Sequence, residues 1–276
     1  MYLRKLQKTM FWIFGIPLVF VFLIFTFFYF HQEKILFFPE LLEKNYRFNF
    51  PDAKEADLGL ENGRSVNYLV FNSQSTLGSI LYFHGNAGSL KSWGFVAQEI
   101  AQKTGFSVWI VDYPGYGKSD GPLPKTEKIL FEVSDKLLNA VVIANPLIPI
   151  IAFGRSVGCG IASHLALNSQ VSALVLETPY RSLAKLGHEL YPFLPEFFSR
   201  FDLDVEKDLE NTFSKQILVI HGTRDEVIPF HHGKFVGEKF SNTLFIPVEG
   251  GGHNNLSEFP EYWPALTKFV SSLGKK

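Results

Sequence analysis

Short apolar runs that alternate with helix-like segments constrain this chain more than any other feature of its sequence. The runs are "SILYF", "FSVWIV", "IPIIAF", "VSALVL", "QILVI" and "TLFIPV", and segments with helical periodicity, such as "LKSWGFVAQEIAQK", lie between them. Continuously apolar strands separated by helices are typical of a parallel sheet that is covered by helices on both faces. The sequence therefore predicts an α/β fold.

The segment that precedes these runs indicates a hairpin. In "EADLGLENGRSVNYLVF", Asn62 and Gly63 stand between two stretches with alternating apolar residues. Asn-Gly in that position is the strongest short-range signal of a hairpin turn. We therefore expect a sheet that begins antiparallel and becomes mostly parallel, with eight strands in all.

A Gly-Arg-Ser-Val-Gly sequence joins one of the apolar runs to a helix of small residues. Gly154 and Gly158 stand two residues before and two residues after Ser156. A sharp strand-to-helix turn leaves no room for bulk at those positions and pushes the central hydroxyl out of the turn. The free N–H groups and the positive dipole end of the helix stabilise an anion there. Ser156 is therefore predicted to be a nucleophile, with an ordinary glycine-flanked turn as the alternative.

The charge and the cysteine content exclude several classes of function. The net charge is −1 and the Lys and Arg residues are scattered, so the chain lacks the basic patch that nucleic-acid binding requires. Cys159 is the single cysteine, which excludes an intramolecular disulfide. Without a cysteine pair or an H-E-x-x-H motif, we expect neither a metal nor a cofactor.

Residues 11–30 differ from the rest of the chain. The stretch "FWIFGIPLVFVFLIFTFFYF" holds 20 residues without a charge, and such a helix spans about 30 Å, the thickness of a bilayer's hydrocarbon core. We therefore expect a transmembrane helix over 11–30, within an N-terminal part of residues 1–34, and a lipid bilayer as its partner. A cleaved signal peptide is the alternative, but its apolar region is usually shorter and ends at a site of small residues.

The charges beside this stretch predict its orientation. Arg4, Lys5 and Lys8 precede it, whereas Lys34 follows it and is offset by Glu33. Because positive charges stay on the cytosolic side, the N-terminus is expected in the cytosol. The prediction is a single-pass membrane protein whose large domain is extracytoplasmic, in a periplasm or a lumen.

The loops after the apolar runs carry a set of short motifs. They are "HGNAG" from residue 84, "DYPGYGKSDG" from 112, "GRSVG" from 154, "HGTRDEVIP" from 221 and "GGHNN" from 251. This set resembles the α/β-hydrolase superfamily, and more closely its small membrane-anchored serine hydrolases, which include acyl-protein depalmitoylase-like members. The resemblance implies the α/β-hydrolase fold for a domain of residues 35–276. The short stretch between "VSALVL" and "QILVI" predicts a small cap near 180–212.

The order of the motifs suggests partners for Ser156. His253 lies in a glycine-rich loop after the last apolar run, where the resemblance places the catalytic histidine, and is expected to be the general base. Asp225 precedes it in the family's D-x-x-x-P context and is expected to orient the imidazole. Glu177, at the end of an earlier strand, is the alternative acid. Glu226 is adjacent to Asp225 and could be mistaken for it.

An oxyanion hole requires two N–H donors near the nucleophile. One comes from the residue after the nucleophile, Val157, and the resemblance implies that the backbone N–H of Asn86 is the other. The His-Gly-Asn-Ala-Gly sequence here replaces the His-Gly-Gly-Gly of many lipases, which weakens a lipase assignment. His84 and His221 precede glycines at strand ends, so they are expected to shape loops and are only alternatives for the base.

These residues predict a serine hydrolase that cleaves carboxylic ester or thioester bonds through an acyl-enzyme. The alternatives are a serine peptidase and a non-catalytic binding protein on the same fold. The aromatic stretch "HELYPFLPEFFSRFDLD" in the expected cap is too short for a large lid. Its bulky residues are expected either to line an acyl pocket or to pack in the core: Tyr191, Phe193, Leu194, Phe197 and Phe198.

Overall fold

An eight-stranded sheet forms the centre of the fold in the computed structural model, which describes residue 4 and residues 11–72, 74–75, 77–212 and 215–273. In chain order, the strands are β1 (Phe38–Pro39), β2 (Lys54–Gly59), β3 (Ser65–Phe71), β4 (Ser79–Phe83), β5 (Ala87–Gly88), β6 (Ser107–Val111), β7 (Ile150–Arg155), β8 (Ala173–Glu177), β9 (Gln216–Gly222) and β10 (Thr243–Val248). The order across the large sheet is β10-β9-β8-β7-β4-β6-β3-β2. Only the pairs β2–β3 and β3–β6 in it are antiparallel, so the predicted, mostly parallel sheet is confirmed.

The hairpin at the start of this sheet forms at the predicted Asn-Gly pair. Gly59 of β2 pairs with Ser65 of β3. Gly63 has a φ of 78°, a left-handed conformation that glycine adopts without steric cost. The Arg64 N–H donates to the Asn62 side-chain oxygen at 3.0 Å and closes the turn. The local sequence is therefore sufficient to begin the sheet antiparallel.

Helices cover both faces of the sheet. From residue 11 onward, the α-helices of the described ranges are Ile16–Phe30, Gln32–Leu36, Leu90–Thr104, Lys128–Ala144, Gly158–Leu165, Leu183–Leu190, Val205–Leu209, Phe230–Lys239 and Tyr262–Leu273. Alternate residues of β4 contribute to two separate hydrophobic cores: Ile80 and Tyr82 to one, Leu81 and Phe83 to the other. Because all four side chains are fully buried, neither face of this central strand is exposed to solvent.

The segment between β8 and β9 contains short helices only. It is the region in which a small cap was predicted, and we call residues 180–212 the cap segment. Two α-helices, Leu183–Leu190 and Val205–Leu209, and a short 3₁₀ turn at Glu196–Phe198 lie within it. Ser182 and Asp204 cap the two helices with their side-chain oxygens, which accept the N–H groups of residues 185 and 207.

The transmembrane helix predicted over 11–30 is wrong. A π-helical turn at Phe11–Gly15 precedes an α-helix of 15 residues, Ile16–Phe30, whose first turn contains a proline. At 1.5 Å per residue this α-helix is about 22 Å long, shorter than the hydrocarbon core of about 30 Å. Among the described residues, no helix has both the length and the apolar character needed to cross a membrane.

The predicted single-pass topology depended on that helix and is also wrong. It placed the N-terminus in the cytosol and the large domain in a periplasm or a lumen. Lys5 and Lys8, on which the orientation rested, lie outside the described residues. Lipid contact through residues 11–30 and the division of the chain at residue 34 stay predictions.

Candidate active site

Ser156 lies on the turn between β7 and the helix Gly158–Leu165. Its φ is 55°, which is rare for a residue with a side chain, and its N–H donates to the Glu177 carbonyl at 3.0 Å. A Cβ atom at Gly154 would clash with the backbone of Gly158, and one at Gly158 would clash with the Phe83 carbonyl. The close packing that the sequence predicts at both glycines is therefore present. The strained turn presents the Ser156 hydroxyl at the carboxyl edge of the sheet.

The side chains of Ser156, His253 and Asp225 form a hydrogen-bonded chain. The His253 Nε2 atom lies 3.2 Å from Ser156 Oγ, and its Nδ1 atom lies 2.8 Å from Asp225 Oδ2. Because a carboxylate only accepts, Nδ1 carries the proton and Nε2 is free to accept the serine hydroxyl. All three residues are more than nine-tenths buried. The arrangement can withdraw a proton from Ser156.

The loop after β9 holds Asp225 in its ionised form. The Val227 and Ile228 N–H groups donate to its Oδ1 at 2.9 and 2.8 Å. Burial opposes ionisation, but hydrogen bonds from His221, His253 and Ile228 outweigh it and hold the pKa of Asp225 well below its usual range. The carboxylate is therefore charged at neutral pH, as stabilisation of an imidazolium requires.

The two alternative histidines lie in other networks. His221 is buried, and its Nε2 atom lies 2.9 Å from the Ile228 carbonyl and 3.2 Å from Asp225 Oδ2. His84 is also buried, with Nδ1 2.7 Å from the Gly85 carbonyl and its ring stacked on Trp93. Neither is hydrogen-bonded to Ser156, so His221 supports the acid and His84 supports its own loop.

Asn86 and Val157 provide N–H groups beside Ser156. Both residues line the same cavity as Ser156, and within the described part of the chain neither backbone N–H is hydrogen-bonded to another residue. The Asn86 carbonyl accepts the Phe38 N–H at 2.8 Å and the Tyr116 hydroxyl at 2.6 Å, which fixes the loop. Two free donors on fixed backbone are what an oxyanion hole requires.

Glu177, the alternative acid, is part of a different ion pair. Its Oε1 atom lies 3.2 Å from Arg155 Nε, and its Oε2 atom accepts the Tyr262 hydroxyl at 2.6 Å. Arg155 in turn donates from one NH2 group to the His253 carbonyl at 3.2 Å and to Asn254 Oδ1 at 3.1 Å. Glu177 therefore does not contact the imidazole; it holds the guanidinium that anchors the histidine loop.

The structure adds one residue to this site and distinguishes Asp225 from its neighbour. The role of Arg155 was missed, because it occupies the variable position before the serine and its polar partners Glu177, His253 and Asn254 come from other parts of the chain. Glu226, the neighbour of Asp225, is exposed and outside the hydrogen-bonded chain. The acid and its neighbour thus have opposite environments.

An apolar cavity of about 390 Å³ opens beside Ser156. This volume lies within the usual range for small-molecule sites. Its lining includes four of the five residues that were considered for an acyl pocket: Tyr191, Phe193, Leu194 and Phe198. The fifth, Phe197, is 86% exposed and lies outside the cavity, because consecutive residues of the short 3₁₀ turn point in different directions.

A second cluster of polar groups lies on the cap segment and the neighbouring helix. Potential ligand atoms of Glu189, His231 and His232 lie within 4.8 Å of one another, so the described residues include one candidate metal site. However, His232 Nδ1 accepts the Arg181 N–H at 3.2 Å, so the proton is on Nε2 and lies between Nε2 and Glu189, 3.1 Å apart. A ligating nitrogen must be unprotonated, so hydrogen bonding accounts for this cluster. His232 is buried, whereas its neighbour His231 is exposed.

Comparisons with known proteins agree with the fold. The family described as "alpha/beta hydrolase fold" matches residues 78–217, about half of the chain, a range that contains Ser156 but neither Asp225 nor His253. The human "Alpha/beta hydrolase domain-containing protein 17B" is 29% identical over 196 residues, which cover 70% of this chain and 66% of that protein. The mouse protein 17C is 30% identical over 196 residues, 70% of this chain and 59% of that protein. The chain thus spans less than two thirds of the length of these relatives.

Solved structures show the same fold at low sequence identity. The Pyrococcus furiosus esterase Pf2001 has a TM-score of 0.66 at 16% identity, and the similarity covers 86% of this chain and 98% of that one. An esterase from Pyrobaculum calidifontis has a TM-score of 0.58 at 18% identity, with 84% and 87% covered.

Proposed function

The chain belongs to the family with the alpha/beta hydrolase fold, and we propose that it hydrolyses carboxylic ester or thioester bonds with Ser156 as nucleophile, His253 as general base and Asp225 as the acid. The observation that carries this proposal is the hydrogen-bonded chain from Asp225 through His253 to Ser156 at the edge of an apolar cavity. The names of the curated relatives, alpha/beta hydrolase domain-containing proteins, support a hydrolase.

The reaction begins when Ser156 Oγ attacks the substrate carbonyl while His253 Nε2 takes the hydroxyl proton. The carbonyl oxygen becomes an anion that the N–H groups of Asn86 and Val157 stabilise. The imidazolium, paired with the Asp225 carboxylate, then protonates the leaving alcohol or thiol, and the acyl group stays on Ser156.

Hydrolysis of the acyl-enzyme repeats these steps with water as nucleophile. His253 Nε2 accepts a proton from the water as its oxygen attacks the acyl carbon. The resulting tetrahedral anion collapses, His253 returns the proton to Ser156 Oγ, and a carboxylic acid leaves. The same residues thus serve both halves of the reaction.

The lining of the cavity favours an acyl substrate over a peptide. A peptidase that recognises a substrate amine needs an acidic pocket, but Glu196 is the single acidic residue among the described lining residues, and it is exposed. The walls are otherwise largely aliphatic and aromatic, which suits the methylene groups of an acyl chain.

The test is a panel of matched ester, thioester and amide substrates with the same acyl group. We expect turnover of the ester and thioester, and its loss in Ser156→Ala. His253→Ala is expected to lower kcat by at least the 10²–10⁴-fold that general-base catalysis typically contributes. Turnover of the amide alone would indicate the peptidase, and wild-type rates in Ser156→Ala would place the reaction elsewhere.

A further inference from the structure

The N-terminal segment from Phe25 to Pro39 forms one wall of the Ser156 cavity. Phe28, Gln32, Ile35 and Leu36 line it together with residues of the cap segment. These four residues precede the range that matches the hydrolase family, which begins at residue 78. We infer that this segment is part of the substrate site and that Phe28 and Ile35 select the length of the acyl group. The inference rests on the proposed function.

Gln32 fixes the segment to the cap. Its side-chain NH2 donates to the Phe198 carbonyl at 2.7 Å, and its side-chain oxygen accepts the Arg200 N–H at 2.8 Å. The Arg200 guanidinium also lies 3.5 Å from the carboxylate of Glu33, which is buried. Both polar groups of the Gln32 side-chain amide are therefore hydrogen-bonded to the backbone of the cap segment. A loosely attached helix would not make both bonds.

Aromatic contacts attach the preceding helix, Ile16–Phe30, to the cap segment as well. The Phe25 ring lies 5.4 Å from the Phe198 ring and 6.5 Å from the Phe193 ring, both nearly perpendicular to it. Tyr29 meets Phe198 in the same way at 5.3 Å. Edge-to-face pairs of this kind stabilise aromatic clusters. Because Phe193 and Phe198 themselves line the cavity, the helix and the cap form one continuous apolar surface.

The other end of the segment is held by the loop that carries Asn86. The short strand β1 pairs in parallel with β5, and the Phe38 N–H donates to the Asn86 carbonyl at 2.8 Å. Phe37 is buried in the core beside Phe201 of the cap segment, with ring centres 5.5 Å apart. The wall is thus fixed at both ends, to the cap on one side and to the oxyanion loop on the other.

A fixed apolar wall discriminates between acyl chains by length. Each methylene that it covers contributes about 0.8 kcal/mol, which is about fourfold in binding. Phe20 provides a matched comparison for Phe28, since both belong to the helix Ile16–Phe30. Phe20, however, is 63% exposed and does not line the cavity. Selectivity is therefore expected to depend on Phe28 and Ile35 and to be independent of Phe20.

The experiment measures kcat/KM of the full chain for p-nitrophenyl esters of two to sixteen carbons. Phe28→Ala is expected to lower the ratio of octanoyl to acetyl activity about tenfold, because the acyl chain loses one aromatic partner. Phe20→Ala is expected to leave that ratio unchanged. Ile35→Trp is expected to fill the cavity and lower the ratio of hexadecanoyl to acetyl activity. A general loss of folding lowers all esters together and leaves both ratios unchanged.

The proposal is overturned if neither Phe28→Ala nor Ile35→Trp changes its ratio by more than Phe20→Ala does. Failure of the proposed function has a different signature: Ser156→Ala would then retain wild-type hydrolysis, or the wild-type chain would hydrolyse no ester of the series. In either case the acyl selectivity proposed for this segment fails as well.

Discussion

Arg155→Met is expected to lower both stability and turnover, for two separable reasons. The stability effect comes from Glu177, whose buried carboxylate lies 3.2 Å from the Arg155 guanidinium, a side chain that is only 11% exposed. Removing one partner of a buried ion pair leaves the other charge uncompensated and costs about 3–5 kcal/mol. For a chain of this size, that lowers Tm by about 10 °C.

The loss of turnover comes from the histidine loop. Arg155 donates hydrogen bonds to the His253 carbonyl and to Asn254 Oδ1, at 3.2 and 3.1 Å. Without them the imidazole shifts from Ser156, and a displacement of about 1 Å costs about 10²-fold in rate. Arg155 is not among the described residues that line the cavity, so the loss is expected in kcat with little change in KM.

A double variant separates the two effects. Arg155→Met with Glu177→Gln removes both charges, so most of the lost stability is expected to return. The kcat is expected to stay low, because the His253 carbonyl still lacks its donor. The assay compares Tm, kcat and KM for a short soluble ester in wild type, both single variants and the double variant. Recovery of kcat together with Tm in the double variant would refute the reasoning.

Two further predictions concern carboxylates in different environments. Asp225→Asn is expected to lower kcat about 10³–10⁴-fold, because an amide cannot hold His253 in the required tautomer. Glu226→Gln changes the exposed neighbouring carboxylate and is expected to keep wild-type kcat, so equal kcat values of the two variants in steady-state kinetics would contradict the assignment of Asp225. Burial raises the pKa of Asp208 to about 6, above its unfolded value of about 3.8, so the folded state binds the extra proton and stability is lost as pH rises from about 4 to 6. The free energy of unfolding, measured by urea denaturation, is therefore expected to fall by up to about 3 kcal/mol less in Asp208→Asn than in wild type across this pH range. An unchanged pH dependence in this variant would show that Asp208 is not the group that titrates.

The sheet and the serine turn could be predicted because they depend on local patterns. Continuous apolar runs mark the buried strands, Asn62-Gly63 marks the hairpin, and the glycines around Ser156 mark a turn without room for a Cβ atom. The resemblance to the α/β-hydrolase superfamily, which rested on the loop motifs, is confirmed by the family match. Ser156, His253 and Asp225 come together as the order of strands predicts, and their catalytic roles stay proposals.

The errors arise where local patterns do not determine the environment of a side chain. The apolar composition of residues 11–30 satisfies the length of a membrane span, but composition does not report that the α-helix begins only at Ile16. Adjacent residues also have different environments, as with the exposed His231 and the buried His232. The role of Arg155 depends on β7, β8 and the loop after β10 meeting in space, which no stretch of sequence shows.

Covalent labelling with a fluorophosphonate, followed by peptide mass spectrometry, tests the central claim most directly. The reagent reacts with a serine hydroxyl only where a base removes its proton, so it reports the nucleophile independently of the physiological substrate. We predict one adduct on the peptide that contains Ser156, no adduct in Ser156→Ala and strongly reduced labelling in His253→Ala. An adduct on another residue, with hydrolysis lost in proportion to that labelling, would contradict it.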